Sequence, residues 1–258
     1  MTIVLIWLLF MTAILSLPLS AMPSWVSLRS AHPKIDTVVV LLSLARLVFL
    51  FLVLRCYAAS DVRDDMGEVI FYTVLGLFWV FTSDFVSRFL GISMALDAIE
   101  RRNPAALWAA TGSTAAVTFC YAGANIGEGP GVHVVMFCAL LSTAALFFLW
   151  LILELATGAR LCESIGVERN VAAGVRLGGY LAALGIILGA SVAGDWTSLW
   201  GTLADFAEYG WPAAVVVAAA VVFERAKRSV LVSMQASILL AGSSITCAAI
   251  YVAIRGLR

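Results

Sequence analysis

Charged side chains fall inside or at the ends of long apolar runs, among them Arg46, Asp84, Glu154 and Glu224. A charge in hydrocarbon is expensive, ~2.5–3.5 kcal/mol for Arg at a span centre, so it turns toward protein or water and takes a partner. Arg46 sits near the middle of its run. Asp84 is its first candidate partner and Glu154 the second, in an ion pair that is either structural or functional. The three acids are spaced 70 and 70 residues apart. Such a set can cap helix ends, or it can form a tier of carboxylates that draws cations toward a central path. Asp84 and Arg88 are four apart, as are Glu224 and Arg228, so each pair shares a helix face and can neutralise locally. Glu154 has no basic residue at that spacing. Arg176, two turns inside its helix, is expected to snorkel to the interface.

Two polar motifs stand at helix starts, Arg102-Asn103 and Arg169-Asn170. An Asn there accepts from free N–H groups of the first turn, and the neighbouring Arg reaches lipid phosphate; an ion or substrate site is the alternative. The stretch from Gly123 to Gly131 holds four glycines and Pro130, which cannot continue a helix. It reads as a tight turn, or as backbone that turns carbonyls inward with Asn125 and Glu128 to hold a cation. Other chemistry has no signature. Cys56, Cys120, Cys138, Cys162 and Cys247 are scattered, and His32 and His133 stand outside any metal-ligand spacing, so neither a metal nor a cofactor is expected. No nucleophile elbow, P-loop, dinucleotide fingerprint or basic-aromatic nucleic-acid surface occurs, so the chain is read as a non-enzyme that does not bind nucleic acid.

The elements that must position these residues follow from composition. Apolar residues make up 62% of the 258 and charged residues 12%, with a mean hydropathy of +1.02. One soluble core could not hide that much apolar surface, whereas a bilayer about 30 Å thick accepts helices of about 20 apolar residues. Apolar runs fall at about 2–21, 37–57, 69–90, 104–123, 132–155, 171–193, 206–223 and 233–254. The expected fold is therefore all-α, a polytopic membrane protein with about eight transmembrane helices. The first run lacks the basic start and small-residue cleavage site of a signal peptide, so it is kept as a span. The odd-numbered connections then carry Arg29, Lys34, Arg88, Arg101, Arg102, Arg160, Arg169, Arg225, Lys227 and Arg228 on one side, against Arg55, Arg63, Arg255 and Arg258 on the other. The positive-inside rule makes the first side cytoplasmic and puts both termini in the periplasm of a bacterial inner membrane.

An internal repeat organises the chain. Arg102-Asn103-Pro104-Ala105-Ala106 matches Arg169-Asn170-Val171-Ala172-Ala173 at an offset of 67, with Gly112 meeting Gly179; a weaker third copy begins at Ser233 and puts Gly242 in register. The expected layout is an N-terminal helix pair (1–67) followed by three like-oriented two-helix repeats (68–131, 132–204 and 205–258), without the inverted symmetry of many transporters. The second helix of each repeat carries a stripe of small residues: Ala105, Ala109, Gly112, Ala116 and Cys120; then Gly174, Gly178, Ala182, Gly185, Gly189 and Ala193; then Ser233, Ser237, Ala241, Ser244 and Ala248. Such stripes serve close helix packing or line a pore around a pseudo-threefold axis.

The run Arg169-Asn170-Val171-Ala172-Ala173-Gly174, followed by Gly178-Gly179, resembles the YjfL-like bacterial inner-membrane proteins. The resemblance covers residues 132–258 and, more loosely, 68–131. It implies tandem two-helix units opening with Asn-x-Ala-Ala in a family of unknown function, with no catalytic residues to carry over. This chain departs from the pattern through an extra repeat, Pro104 after the first Asn, and no Asn in the third copy. The expected function is a non-enzymatic membrane assembly or scaffold subunit whose partners are the lipid bilayer and either its own copies or a membrane complex. A small-ion channel or transporter is the alternative, and an intramembrane enzyme the next.

Overall fold

The computed structural model describes residues 33–129, 131–158, 160–226 and 233–256, with side chains from residue 37 onward. The first apolar run, Arg29, Lys227, Arg228, Arg258 and the side chain of Lys34 lie outside them, and with Arg228 goes its expected pairing to Glu224. Among the described residues every regular element is helical: α1 (Pro33–Tyr57), α2 (Ser60–Arg63), α3 (Met66–Ser87), a 3-10 turn (Arg88–Leu90), a π-helix (Met94–Glu100), α4 (Pro104–Ala124), α5 (Val132–Thr157), α6 (Arg160–Gly166), α7 (Val171–Val192), α8 (Leu199–Gly210), α9 (Pro212–Ala226) and α10 (Met234–Arg255).

Among the described residues six helices are long and apolar enough to cross a membrane: Thr37–Tyr57, Met66–Leu90, Val132–Thr157, Val171–Val192, Leu199–Ala226 and Met234–Arg255. α4 is not among them, although its 21 residues rise about 32 Å at 1.5 Å each. Its Thr111, Gly112, Ser113, Thr114 and Thr118 lower its hydropathy. Most of its length is buried among other helices, where close packing matters more than solubility in lipid. The span expected at 206–223 begins earlier, at Leu199. Ser198 caps it by accepting from Gly201 N, and Asp205 and Glu208 conceal the start from an apolar count. Pro212 at the first position of α9 divides the span, as suits a residue with no N–H to give.

The packing is centred on α7. It lies against α4 on one side and α10 on another, with α5, α8 and α9 around it. The small stripes are contact faces. Gly174 faces the Ala105 carbonyl, Gly178 faces Trp108, Gly185 faces Ala116, and Gly189 faces Phe119. These contacts advance in the same direction along both helices, so α4 and α7 run parallel. Arg176 reaches Ser237 and Gly179 abuts Ala241, while residues 187–193 line one cavity with 251–256; α10 is parallel as well.

Local devices recur at the 67-residue offset. Gly91 and Gly158 end helical segments in the left-handed region. Among the described residues Arg102 and Arg169 are the positive-φ non-glycine residues, at 51° and 55°, a conformation that costs an L-residue roughly 1–2 kcal/mol. Both turns deliver an Asn to the cap position. Asn103 accepts from Ala105 N and Ala106 N and donates to the Ile165 carbonyl at 2.8 Å. Asn170 accepts from Ala173 N, and Ser233 from Ala236 N, in the equivalent places. Asn103→Ala is expected to cost more than the usual ~1 kcal/mol of a lost cap, because a tie to the α6 backbone goes with it. Asn170→Ala should stay near that value. Thermal unfolding in detergent compares the two.

Candidate functional site

Asp84, Glu154 and Glu224 lie near the ends of α3, α5 and α9, and each is engaged differently. Asp84, half-buried near the end of α3, accepts from Ser93 Oγ at 3.0 Å and from Met94 N at 2.8 Å. It thus caps the π-helix that follows, and the expected Asp84–Arg88 pair does not form; Arg88 stacks over the Phe85 ring instead, 5.5 Å from its centroid. Glu154, 6% exposed, accepts from Cys162 Sγ at 3.0 Å and more weakly from Cys162 N at 3.4 Å. The same thiol lies 3.1 Å from the Leu90 carbonyl, so Cys162 links the end of α5, the start of α6 and the 3-10 turn. Trp150 is fully buried one turn before Glu154.

Glu224 carries the strongest polar contact in the core. Its Oε1 lies 2.7 Å from Arg176 Nε, with side-chain exposures of 3% and 2%. Arg176 NH1 donates to Ser237 Oγ at 2.8 Å, and Tyr180 Oη lies 3.3 Å from the same carboxylate oxygen. Helices α7, α9 and α10 are joined here by one neutralised cluster. Arg176 therefore does not snorkel to the interface: it is 1% exposed and held by an acid. Spacing along its own helix shows no partner for Arg176, because Glu224 is 48 residues away. The available signal was parity. An Arg and an acid, each inside an apolar run, need one another.

Arg46 is half-buried on α1. Asp84 is the acid whose field acts on it, yet the two make no ion pair within 4.0 Å; Glu154 is occupied with Cys162. Arg102 and Arg169 lie at the turns before α4 and α7, and Arg169 donates to the Arg101 carbonyl at 3.1 Å. On the opposite face, Glu128 closes a clasp between three loops. Its carboxylate accepts from Ser60 N at 3.1 Å and from Ser60 Oγ at 3.2 Å, and its own N–H donates to Asp195 Oδ1 at 2.8 Å. The carbonyls of Ile126 and Glu128 accept from Gly194 N and Trp196 N. Asn125 is buried and donates to the Tyr121 carbonyl at 2.7 Å. Carbonyls and carboxylate are thus engaged in tying the loop down.

Among the described residues no group of three or more His, Cys, Asp or Glu is placed to hold a metal. Burial raises the Cys162 thiol well above its ordinary range, and the Glu154 carboxylate pushes the same way. Cys162 therefore stays a neutral thiol. A maleimide at neutral pH is expected to modify Cys56, exposed at the end of α1, and to reach Cys162 only after denaturation; mass spectrometry of the digested protein reads both. No family model matches the chain, and neither a curated protein nor a solved structure matches it.

Proposed function

We propose that this chain is a non-enzymatic subunit of a bacterial inner-membrane assembly, built from an N-terminal helix pair and three like-oriented two-helix units. In this reading α4 and the run at 2–21 bring the spans to eight, both termini are periplasmic, and the tandem units belong with the YjfL-like type. One observation carries the function. The small-residue faces of α4 and α7 meet backbone to backbone, so the stripe that could have lined a path is spent on contact. The polar groups support the same reading. Glu224 is neutralised by Arg176, and Asp84 and Glu154 brace the turns that follow their helices. Connections are too short for a separate soluble domain, so partners dock on spans or on the linkers near 91–102 and 158–169.

Small-ion transport is the second reading, favoured by Arg46, a half-buried cation without an ion pair among the described residues. Flux into liposomes holding the purified protein separates the two. Wild type, Arg46→Leu and Glu154→Gln are all expected to match empty liposomes. Flux above that background that either substitution abolishes would overturn the assembly reading in favour of transport.

A further inference from the structure

Arg46 stands in the middle of a membrane span with its charge unanswered. The span runs from Thr37 to Tyr57, so the Arg46 Cα lies about 14 Å from the nearer end at 1.5 Å per residue. At that depth the head stays in hydrocarbon, unlike that of an arginine one or two turns from a helix end. Arg46 shares a face with Val39, Leu42 and Leu50, at spacings of three and four, and those three are half-buried or buried. One turn further along, Phe49 meets the Phe119 ring of α4 edge-on at 5.5 Å. Arg46 therefore lies along the seam between α1 and α4. On the α4 side that seam is not closed: Trp108 is exposed, and Thr111, Ala115 and Phe119, on the same line, are half-buried.

The chain meets the same difficulty once more and resolves it, at Arg176, with the Glu224 carboxylate at 2.7 Å and the Ser237 hydroxyl at 2.8 Å. Among the described residues Arg46 has neither a hydrogen bond nor an ion pair. Asp84 offsets part of the charge at longer range, but both its oxygens already take donors, from Ser93 and Met94. Glu154 and Glu224 are held by Cys162 and Arg176. Asp205 and Glu208 stand beside the last turns of α10, where Tyr251 Oη reaches the Tyr209 carbonyl, well away from mid-membrane depth. Asp36 begins the same helix as Arg46, about 15 Å off along its axis. The apolar run at 2–21 contains no Asp or Glu, so covering Arg46 with it would bury the charge unpaired. A second copy would bring the same acids at the same depths.

We infer that Arg46 is the docking point for a transmembrane helix of a different protein, one that carries a carboxylate at mid-membrane depth. Charge complementarity selects that occupant. A guanidinium offers a fork of N–H donors that a carboxylate accepts in pairs, and in hydrocarbon neither charge has water as a competing partner. Two helices that are each costly alone become a neutral pair when they meet, and the match also excludes helices without an acid at that level. The inference rests on the assembly reading and names the class of partner; its test is independent of ion flux.

The test is resonance energy transfer in liposomes between protein labelled at Cys56, in a Cys247→Ser background, and a labelled synthetic single-span peptide of Leu and Ala with one central Glu. A second peptide has Gln in place of that Glu. The Glu peptide should associate with the protein roughly tenfold or more tightly than the Gln peptide, and Arg46→Leu should erase the difference. Arg46→Leu should melt in detergent no lower than wild type, because Arg46 holds nothing within the chain. Equal association of the two peptides would overturn the inference, as would a preference for Glu that survives Arg46→Leu. A lower melting temperature for Arg46→Leu would place the partner of Arg46 inside the chain and overturn it too. Transfer between two labelled copies without peptide, lost on Arg46→Leu, would assign the residue to a second copy instead. Failure here with flux at background leaves the assembly reading standing, whereas flux above background removes that reading whichever peptide is preferred.

Discussion

Replacing Gly112 by Val is expected to abolish the folded bundle. A Cβ at that position would come closer than 3.0 Å to three backbone atoms of Gly178, and backbone cannot swing aside as a long side chain can. Inserting atoms into a packed core ordinarily costs about 1–3 kcal/mol, and a clash with helix backbone exceeds that range because two helices must separate. Separation carries further consequences, since the same interface includes Gly174, Gly185 and Gly189. The measurement is monodispersity and thermal unfolding in detergent, with Gly166→Ala as the control. Among the described residues nothing lies within 4 Å of a Cβ at Gly166, so that control should unfold as wild type does. A Gly112→Val protein that melts within a few degrees of wild type would mean that α4 and α7 do not touch in this way.

The second large effect concerns the buried ion pair. Arg176→Leu and Glu224→Leu should each destabilise by about 3–5 kcal/mol, the usual consequence of leaving one buried charge without its partner. The double substitution should recover most of that loss, because an apolar pair of similar size removes the uncompensated charge. Unfolding by heat or denaturant in nanodiscs gives the three values, and non-additivity is the signature. Single substitutions that cost under about 1 kcal/mol would place the pair in a hydrated setting, where ion pairs contribute little.

Much of the architecture is legible from residues that act locally. Asn103, Asn170 and Ser233 mark helix starts because a cap needs only its own first turn, and all three accept from it. The small stripes predict contact faces because helical spacing fixes which side they occupy. What escapes is contact between distant segments. Arg176 reads as an interfacial cation until Glu224 is brought to it across three helices. Glu154 reads as an unpartnered acid until Cys162, just past the helix end, turns back to it. α4 has the length of a span, but its hydroxyls and glycines keep it out of the six strongly apolar helices, and its neighbours bury most of it. The beginning of α8 is hidden in the same way by Asp205 and Glu208. The positive φ of Arg102 and Arg169 could not be read from residue type, since a left-handed turn ordinarily selects Gly or Asn.

In the proposed arrangement the units are like-oriented, with both linkers on one face of the membrane. The direct measurement is labelling with a membrane-impermeant maleimide, in intact and in opened cells, of Glu100→Cys, Glu168→Cys and Thr197→Cys, each in a Cys56→Ser, Cys247→Ser background. Positions 100 and 168 should stay dark in intact cells and label together once the cytoplasmic face is opened, whereas position 197 should label in intact cells. If 100 and 168 label from opposite faces, the like-oriented arrangement is contradicted.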